Sequence, residues 1–309
     1  MIVKTGVTAV VKAAVAVFVA VLVFHAPVFA AGKLKKVVAV SRFENKSSWS
    51  GQWNLDDGMA DQLTDALVQS GRFVVLERQT LSDVLAEQDL ASSGRAMKSR
   101  SARTGKLTSA QILIKGAITE FELNSSGSGT GIGIGGFRIG SKRGDAHVGL
   151  IIRLIDTTTG EVLDSHRVEG KAESGGLSLG VDLGGVSFGT EGFKKTPLGK
   201  ATQIAIDNAV EYIASKLDDL PFEGRVIKVK GDVVYISAGK RHDVSKGEKF
   251  TVYSVGEELV DPETGEMLGA EEEELGEIEV FQVSEKFSKA RPVGSISGKI
   301  ERGNIIRSR

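Results

Sequence analysis

The pattern G-x-S-x-G occurs twice in a short glycine-rich stretch, at residues 176–180 and 185–189. This spacing is typical of the nucleophile elbow of serine hydrolases, in which a sharp strand-to-helix turn exposes the serine hydroxyl. An elbow needs a helix directly after Ser178 or Ser187, and the glycines and β-branched residues around them are poor helix formers. The only histidine that follows either serine is His242, far along the chain. We therefore predict that the protein is not an enzyme.

Other patterns that bind phosphate or metal are incomplete. Gly131, Gly133 and Gly136 satisfy G-x-G-x-x-G, and Asp156 follows at about the distance of a ribose-binding acid (~20 residues). That motif must open a helix, whereas FRIGSKRGD follows it and indicates a strand end and a polar turn. Cysteine is absent. Scattered histidines lack metal-ligand spacing and are expected at the surface: His147, His166 and His242. We predict no metal and no cofactor.

The N-terminal segment indicates the compartment. Lys4 and Lys12 precede the apolar run 13–24, and the small residue Ala30 follows this run. A basic region, a short apolar region and a small residue at the cut are typical of a secretory signal peptide. We therefore predict a signal peptide over residues 1–30 and a protein of the bacterial cell envelope. A retained membrane anchor is the alternative.

Composition favours a folded chain, with 41% hydrophobic and 26% charged residues. The net charge of −1 gives no argument for a nucleic acid as partner. Strands and helices alternate as β-α-β-α-β over residues 35–123, which predicts an α/β layer. A hairpin at DTTTG (156–160) and a helix over 197–217 follow. Beyond Pro221, short valine-rich strands predict a small β-barrel.

The fold class predicted is thus α+β: an α/β periplasmic domain over residues 31–220, carrying two extended β-hairpins, then a small all-β domain over 221–309. Asn54 is expected to cap the first helix, and Gly71 to end it. The apolar side of the second helix is predicted from three- and four-residue spacing: Leu81, Val84, Leu85 and Gln88.

The glycine-rich segments alternate apolar residues with small or polar ones. Strands that face lipid on one side show this pattern, but soluble amphipathic hairpins alternate in the same way. The candidate lipid-facing residues are Ile132, Ile134, Leu177, Leu179, Val181 and Leu183. On the partner arm, one face carries only charged residues: Arg167, Glu169, Lys171 and Glu173. Since even eight strands fill their barrel with side chains, spanning hairpins require a ring of subunits.

Several stretches resemble the curli-secretion channel family, CsgG/HfaB. They are VAVSRFENKSSW, residues 56–94, ILIKGAITEFE and LIIRLIDTTTGEVLDS, and the likeness covers about residues 36–217. The resemblance implies an outer-membrane ring in which each subunit adds two β-hairpins to one transmembrane β-barrel. Unfolded curli-like fibre or adhesin subunits would pass through it by diffusion. It places the membrane hairpins at about 123–146 and 164–195.

The resemblance also implies that the loop after the first strand lines a constriction. The corresponding residues here are Trp49, Gln52, Trp53 and Asn54. Aromatic and amide side chains could contact a sliding unfolded chain without binding it tightly. The alternative is that Trp49 or Trp53 packs beside the start of the first helix as a hydrophobic staple.

Two features depart from the curli channel. The curli channel carries a lipidated N-terminal cysteine, and this chain has no cysteine. Residues 221–309 are additional, and GRVIKVKGDVVYISAG with GEKFTVY resembles the C-terminal domain of a flagellar T-ring assembly protein. That likeness implies docking of periplasmic accessory proteins. A homo-oligomeric protein secretion channel is the leading hypothesis, a soluble periplasmic scaffold of the envelope or flagellar machinery the alternative, and a hydrolase a distant third.

Overall fold

The computed structural model describes residues 33–51, 53–97, 102–126, 132–134, 137–139, 143–173, 187–265 and 267–308. Residues Lys33–Arg309 form one compact unit. The predicted signal peptide lies outside the described residues. Within the described chain, no helix is both long and apolar enough to span a bilayer.

A mixed sheet forms the centre of the N-terminal part, with strand order β3-β1-β4-β7-β8. Its strands are β1 (Val37–Val40), β3 (Val74–Leu76), β4 (Ile112–Ser126), β7 (Arg143–Asp156) and β8 (Val162–Glu173). Strand β1 pairs in parallel with β3 and β4, which confirms the β-α-β-α-β opening. The pairs β4–β7 and β7–β8 are antiparallel, as the hairpin prediction requires. A two-residue strand, β2 (Glu44–Asn45), pairs in parallel with β4.

Helix α1 (Leu55–Ser70) begins and ends where its residue types predict. Asp56 and Asp57 lie in its first turn, where the helix dipole favours negative charge. Gly71 ends it in the left-handed region, with φ 65°. Asn54 precedes the helix, but its side chain makes no capping bond; its Nδ2 donates instead to Asp57 Oδ2 at 2.7 Å.

Helix α2 (Leu81–Ser92) forms as predicted, and the predicted side of the helix is only partly covered. On that side Gln88 is buried and Leu81 is half-buried, whereas Val84 and Leu85 are 38% and 44% exposed. The three- and four-residue spacing therefore predicted the helix correctly, but not which of these residues are buried. Burial depends on what lies opposite, and within the described chain little packs on α2.

Helix α4 (Pro197–Asp218) covers β7 and β8, and the short helix α3 (Glu191–Lys194) precedes it. Thr196 caps α4, since its Oγ1 accepts from the backbone N–H of Gly199 at 3.0 Å. Small side chains let the helix approach the sheet closely. At Gly170 of β8, an added Cβ would lie 1.9 Å from the carbonyl oxygen of Ala201.

The C-terminal part is a closed six-stranded barrel with strand order β10-β13-β12-β11-β14-β9. The strands are β9 (Glu223–Lys230), β10 (Val233–Ile236), β11 (Lys249–Val260), β12 (Met267–Val283), β13 (Ser288–Val293) and β14 (Ile305–Ser308). Because the barrel is closed, each of its six strands pairs with a neighbour on both sides. This confirms the predicted fold class, α+β with a small all-β barrel.

The two parts have separate hydrophobic cores joined by the residues that precede β1. Leu34 is buried in the barrel core, although the rest of that core comes from Phe222 onward. The backbone N–H of Lys35 donates to the carbonyl of His242 at 3.1 Å. Gln111 at the start of β4 donates through Nε2 to the carbonyl of Glu223 at 2.9 Å. These bonds fix the barrel to one end of the mixed sheet.

Candidate functional site

The described strand ends within the predicted hairpin ranges are those of β4 and β7 in 123–146 and β8 in 164–195, and we call them the arms. Strands β4 and β7 stay paired as far as Ser126 opposite Arg143, and β7 and β8 as far as Asp145 opposite Glu173. A further antiparallel pair, β5 (Ile132–Ile134) with β6 (Phe137–Ile139), lies between β4 and β7 in the chain. Of the predicted hairpin ranges, 164–195 also includes helix α3, which sequence reasoning missed. Its signal was the capping residue Thr190, whose Oγ1 accepts from the N–H of Phe193.

The predicted lipid-facing residues lie largely beyond what is described. Ile132 and Ile134 belong to β5 and pair with Ile139 and Phe137. The other four, Leu177, Leu179, Val181 and Leu183, lie outside the described residues.

An ion-pair network covers one face of the β8 arm, as the charge alternation indicates. Glu169 lies at its centre, 3.0 Å from both Arg167 Nη2 and Lys171 Nζ. Arg167 Nη2 also contacts Glu120 of β4 at 2.9 Å, and His147 Nε2 of β7 lies 3.3 Å from Glu169. The network links three neighbouring strands on a face whose charged side chains are partly exposed.

A cluster of five aromatic side chains forms the base of both arms, and we call it the aromatic cluster. Its members are Trp49, Trp53, Phe121, Phe188 and Phe193. Trp49 stacks on Trp53 at 5.2 Å between ring centroids, and its ring meets Phe121 edge-on at 5.1 Å. Trp53 in turn meets Phe193 edge-on at 5.1 Å. Edge-on and offset contacts at these separations are favourable aromatic geometries.

The aromatic cluster therefore joins three distant segments of the chain. The two tryptophans come from the loop after β1, Phe121 from the start of the first arm, and the remaining phenylalanines from the end of the second hairpin range. Gly58 of α1 makes room for Phe188, because a Cβ there would lie 2.5 Å from its ring. The candidate constriction loop is thus fixed to the bases of both hairpins.

The four predicted constriction residues differ in exposure. Trp53 is 8% exposed and belongs to the hydrophobic core. This burial fits the alternative in which Trp53 packs beside the start of α1. Trp49 is half-buried, and its indole Nε1 is buried without a hydrogen-bond partner in the described chain. Asn54 is exposed. Gln52 lies outside the described residues.

The serine and histidine candidates do not form a described catalytic arrangement. Ser178 lies outside the described residues, and Ser187 lies in a turn where its carbonyl accepts from Thr190. His242 is buried in the barrel, so the prediction of a surface position was wrong for it. Its Nδ1 lies 2.9 Å from the carbonyl oxygen of Lys35, and its Nε2 accepts from Arg241 Nε at 2.9 Å. Because both ring nitrogens have hydrogen-bond partners, neither is free to accept a proton from a serine nucleophile.

Burial lowers the pKa of His242 from its usual value, because desolvation penalises the charged imidazolium. The carbonyl of Lys35 opposes this shift, whereas the charge of Arg241 adds to it. Among the residues that the structure describes, no group of three or more His, Asp or Glu side chains is placed to hold a metal ion.

The fold and the paired arms define an α+β protein with antiparallel extensions from its sheet. The family model for the curli production assembly/transport component CsgG matches residues 23–248, well over half of the chain. The protein belongs to this family, whose class is assembly and transport. No curated protein matches the sequence significantly.

Several solved structures are similar to part of this chain. The hypothetical protein CT253 from Chlamydia trachomatis is 14% identical, with a TM-score of 0.38, and the match covers 59% of this chain and 96% of that one. Lipoprotein GNA1162 from Neisseria meningitidis is 16% identical (TM-score 0.29; coverage 58% and 99%). A PelC dodecamer from Paraburkholderia phytofirmans is 14% identical (TM-score 0.28; coverage 57% and 86%). At such scores the likenesses carry no argument about function.

Proposed function

We propose that the protein is the subunit of an oligomeric outer-membrane channel that exports unfolded curli-like fibre or adhesin subunits. Membership of the CsgG family supports the transport role. The single observation that carries the proposal is the aromatic cluster, which holds the loop after β1 at the base of both hairpin arms. Such a loop lies where a pore through the hairpins would begin.

In such a channel the two hairpins of each subunit would lie in the membrane. The arms of β4, β7 and β8 continue beyond the covered sheet, with Leu123 already 44% exposed near the end of its arm. The candidate lipid-facing residues follow in the chain. Two hairpins supply four strands, too few to enclose water, so several copies would contribute to one barrel.

Within the loop after β1, some residues would hold the loop in place and others would contact the exported chain. Trp53 and the phenylalanines of the aromatic cluster hold the loop, while Trp49, Gln52 and Asn54 line the path. An unfolded chain that passes such a ring meets aromatic and amide groups at several equivalent positions, with weak contacts at each. Residues 221–309 would face the periplasm and dock accessory proteins.

The test is single-channel conductance of the detergent-extracted protein in a planar bilayer. We expect discrete, long-lived steps, with larger steps for Trp49→Ala because the constriction widens. The double change Leu179→Asp and Leu183→Asp should abolish insertion, since a basic residue at mid-bilayer costs about 2–4 kcal/mol and an acidic one somewhat less.

A matched control makes the same change on the exposed, non-membrane end of β8. Val162→Asp with Leu163→Asp adds two acids at positions that are 50% and 39% exposed, and these channels should still insert. Insertion of the Leu179/Leu183 variant at the wild-type level would contradict the proposal.

A soluble periplasmic scaffold is the second candidate. The ion-pair network around Glu169 favours it, because such a face on a hairpin arm is suited to water or to a charged neighbour. Absence of conductance, with protein recovered mainly from the soluble periplasmic fraction, would establish this candidate instead.

A further inference from the structure

The hairpin of β11 and β12 carries an extension with many acidic residues and several apolar ones. The apolar side chains of this extension are exposed in the subunit. Strands β11 and β12 remain paired as far as Val260 opposite Met267. We call residues 255–274 the acidic arm: they contain nine Asp or Glu and no Lys or Arg. Its exposed apolar side chains are Val255, Leu259, Val260, Met267 and Leu268, from 41% to 64% exposed.

Two properties make the acidic arm unfavourable in isolation. A two-stranded ribbon is marginally stable without a surface to pack on, and like charges on one ribbon repel each other. In the described chain, Glu272 pairs with Arg307. No ion pair to Glu257, Glu258 or Glu271 occurs among the described residues. A basic surface with apolar side chains would stabilise the ribbon by packing against it and would reduce the repulsion among its acidic side chains.

The same chain carries two short described segments of the opposite character, residues 95–97 and 102–107, which together we call the basic loop. They contain Arg95, Arg103 and Lys106 and no Asp or Glu. Arg95, Arg103 and Lys106 are exposed, and among the described residues no carboxylate pairs with them. Met97 and Leu107 are 71% and 44% exposed, so the basic loop also presents apolar groups.

We propose that the acidic arm of one subunit docks on the basic loop of a second copy of this chain. The charged side chains named above in both segments are exposed within one subunit, so neither set is covered by the other. Each copy carries both halves of the contact on different surfaces. Such a heterologous contact repeats from copy to copy and generates rings when the rotation closes. Opposite charges select the partner, and the apolar side chains bury on contact.

The inference rests on the oligomer of the proposed function but not on its conductance. The experiment measures the assembly state of full-length protein in detergent by sedimentation, at low and high salt. One variant reverses the arm (Glu257→Lys, Glu258→Lys, Glu271→Lys), a second the loop (Arg95→Glu, Arg103→Glu, Lys106→Glu), and a third combines both sets. A control reverses three exposed acids elsewhere: Glu161→Lys, Glu211→Lys and Glu285→Lys.

Each single set should raise the dissociation constant of the assembly by roughly 10- to 100-fold, because exposed ion pairs are individually weak but three become repulsive. The combined variant should assemble like the wild type, since the charges are exchanged, and so should the control. High salt should weaken the wild-type assembly, because screening shortens the range of the attraction.

Three results would overturn the inference: wild-type assembly of either single set, failure of the combined variant to recover, or a wild type that is monomeric. Recovery of the combined variant also shows that the substitutions do not simply unfold the chain. If the protein conducts and the charge reversals do not change its assembly, only the docking contact is contradicted. If assembly follows the charge reversals as expected but no conductance is seen, only the channel function is contradicted.

Discussion

Gly170 of β8 lies directly against the backbone of α4, where a Cβ would come within 1.9 Å of the carbonyl oxygen of Ala201. Two backbones meet here without an intervening side chain. The contact sets the distance between the helix and the sheet that carries both arms.

Gly170→Ala should therefore destabilise the protein by about 1–3 kcal/mol, the usual cost of overpacking, since the obstructing atom is backbone and cannot rotate away. Denaturant unfolding followed by circular dichroism measures the change. Gly256→Ala is the control, because its nearest neighbours belong to Glu271, at 3.1 Å and beyond. Equal losses for the two variants would show that the helix is not packed as described.

The aromatic cluster predicts unequal roles for the two tryptophans. Trp53→Ala should cost about 3–5 kcal/mol of unfolding free energy, because a buried ring is lost and a cavity remains. Trp49→Ala should cost less, since its ring is half-buried. Thermal unfolding of both variants measures the difference. A Trp49 variant that is the less stable of the two would contradict the assignment of Trp53 to support.

Thr196 should stabilise the start of α4 through its hydroxyl, which donates to the carbonyl of Phe193 at 2.7 Å and accepts from Gly199. Thr196→Val keeps the shape and removes both bonds, so we expect a loss of about 1–3 kcal/mol from unsatisfied buried groups. Thr190→Val is the matched control, at an exposed cap with a 3.4 Å bond to Phe193. Equivalent unfolding midpoints would refute the capping role.

His242 makes stability depend on pH. Its folded-state pKa is lowered below the unfolded value of about 6.5, so the unfolded chain binds more protons. Stability should therefore fall as pH decreases from 7.5 towards 5.5, by at most about 1.4 kcal/mol per pH unit. Burial also raises the pKa of the carboxyls of Asp61 and Glu248, which titrate with the opposite sign at lower pH.

Urea unfolding at several pH values tests this dependence. His242→Gln should flatten the slope between pH 7.5 and 5.5, because the buried imidazole is removed. An unaltered slope in the His242 variant would locate the titrating group elsewhere.

Local chemistry explains which parts of the fold were predictable. Helix α1 ends at Gly71 because a left-handed residue stops a helix regardless of its surroundings, and α4 starts at Thr196-Pro197 for a similarly local reason. The turn residues between β7 and β8 are local in sequence, so the antiparallel pairing of these two strands could be predicted. The small barrel followed from short strands at close spacing.

Long-range packing explains the failures. The burial of His242 depends on Lys35 and Phe222, which are both distant from it in the sequence. The burial of Trp53 likewise depends on distant residues, up to Phe193, and packing of this residue is one of the two alternatives that the sequence left open. At α2, spacing identified an amphipathic helix but contained no information about whether a neighbour covers Val84 and Leu85. The proposed constriction and lipid-facing roles stay predictions.

The position of Leu34 has a consequence for the order of folding. This side chain completes a barrel core whose other members lie from Phe222 onward in the chain. Leu34 therefore has no barrel core to pack in until those distant strands have formed. Contacts with such sequence separation slow folding, so the union of the two cores should be the late step in maturation.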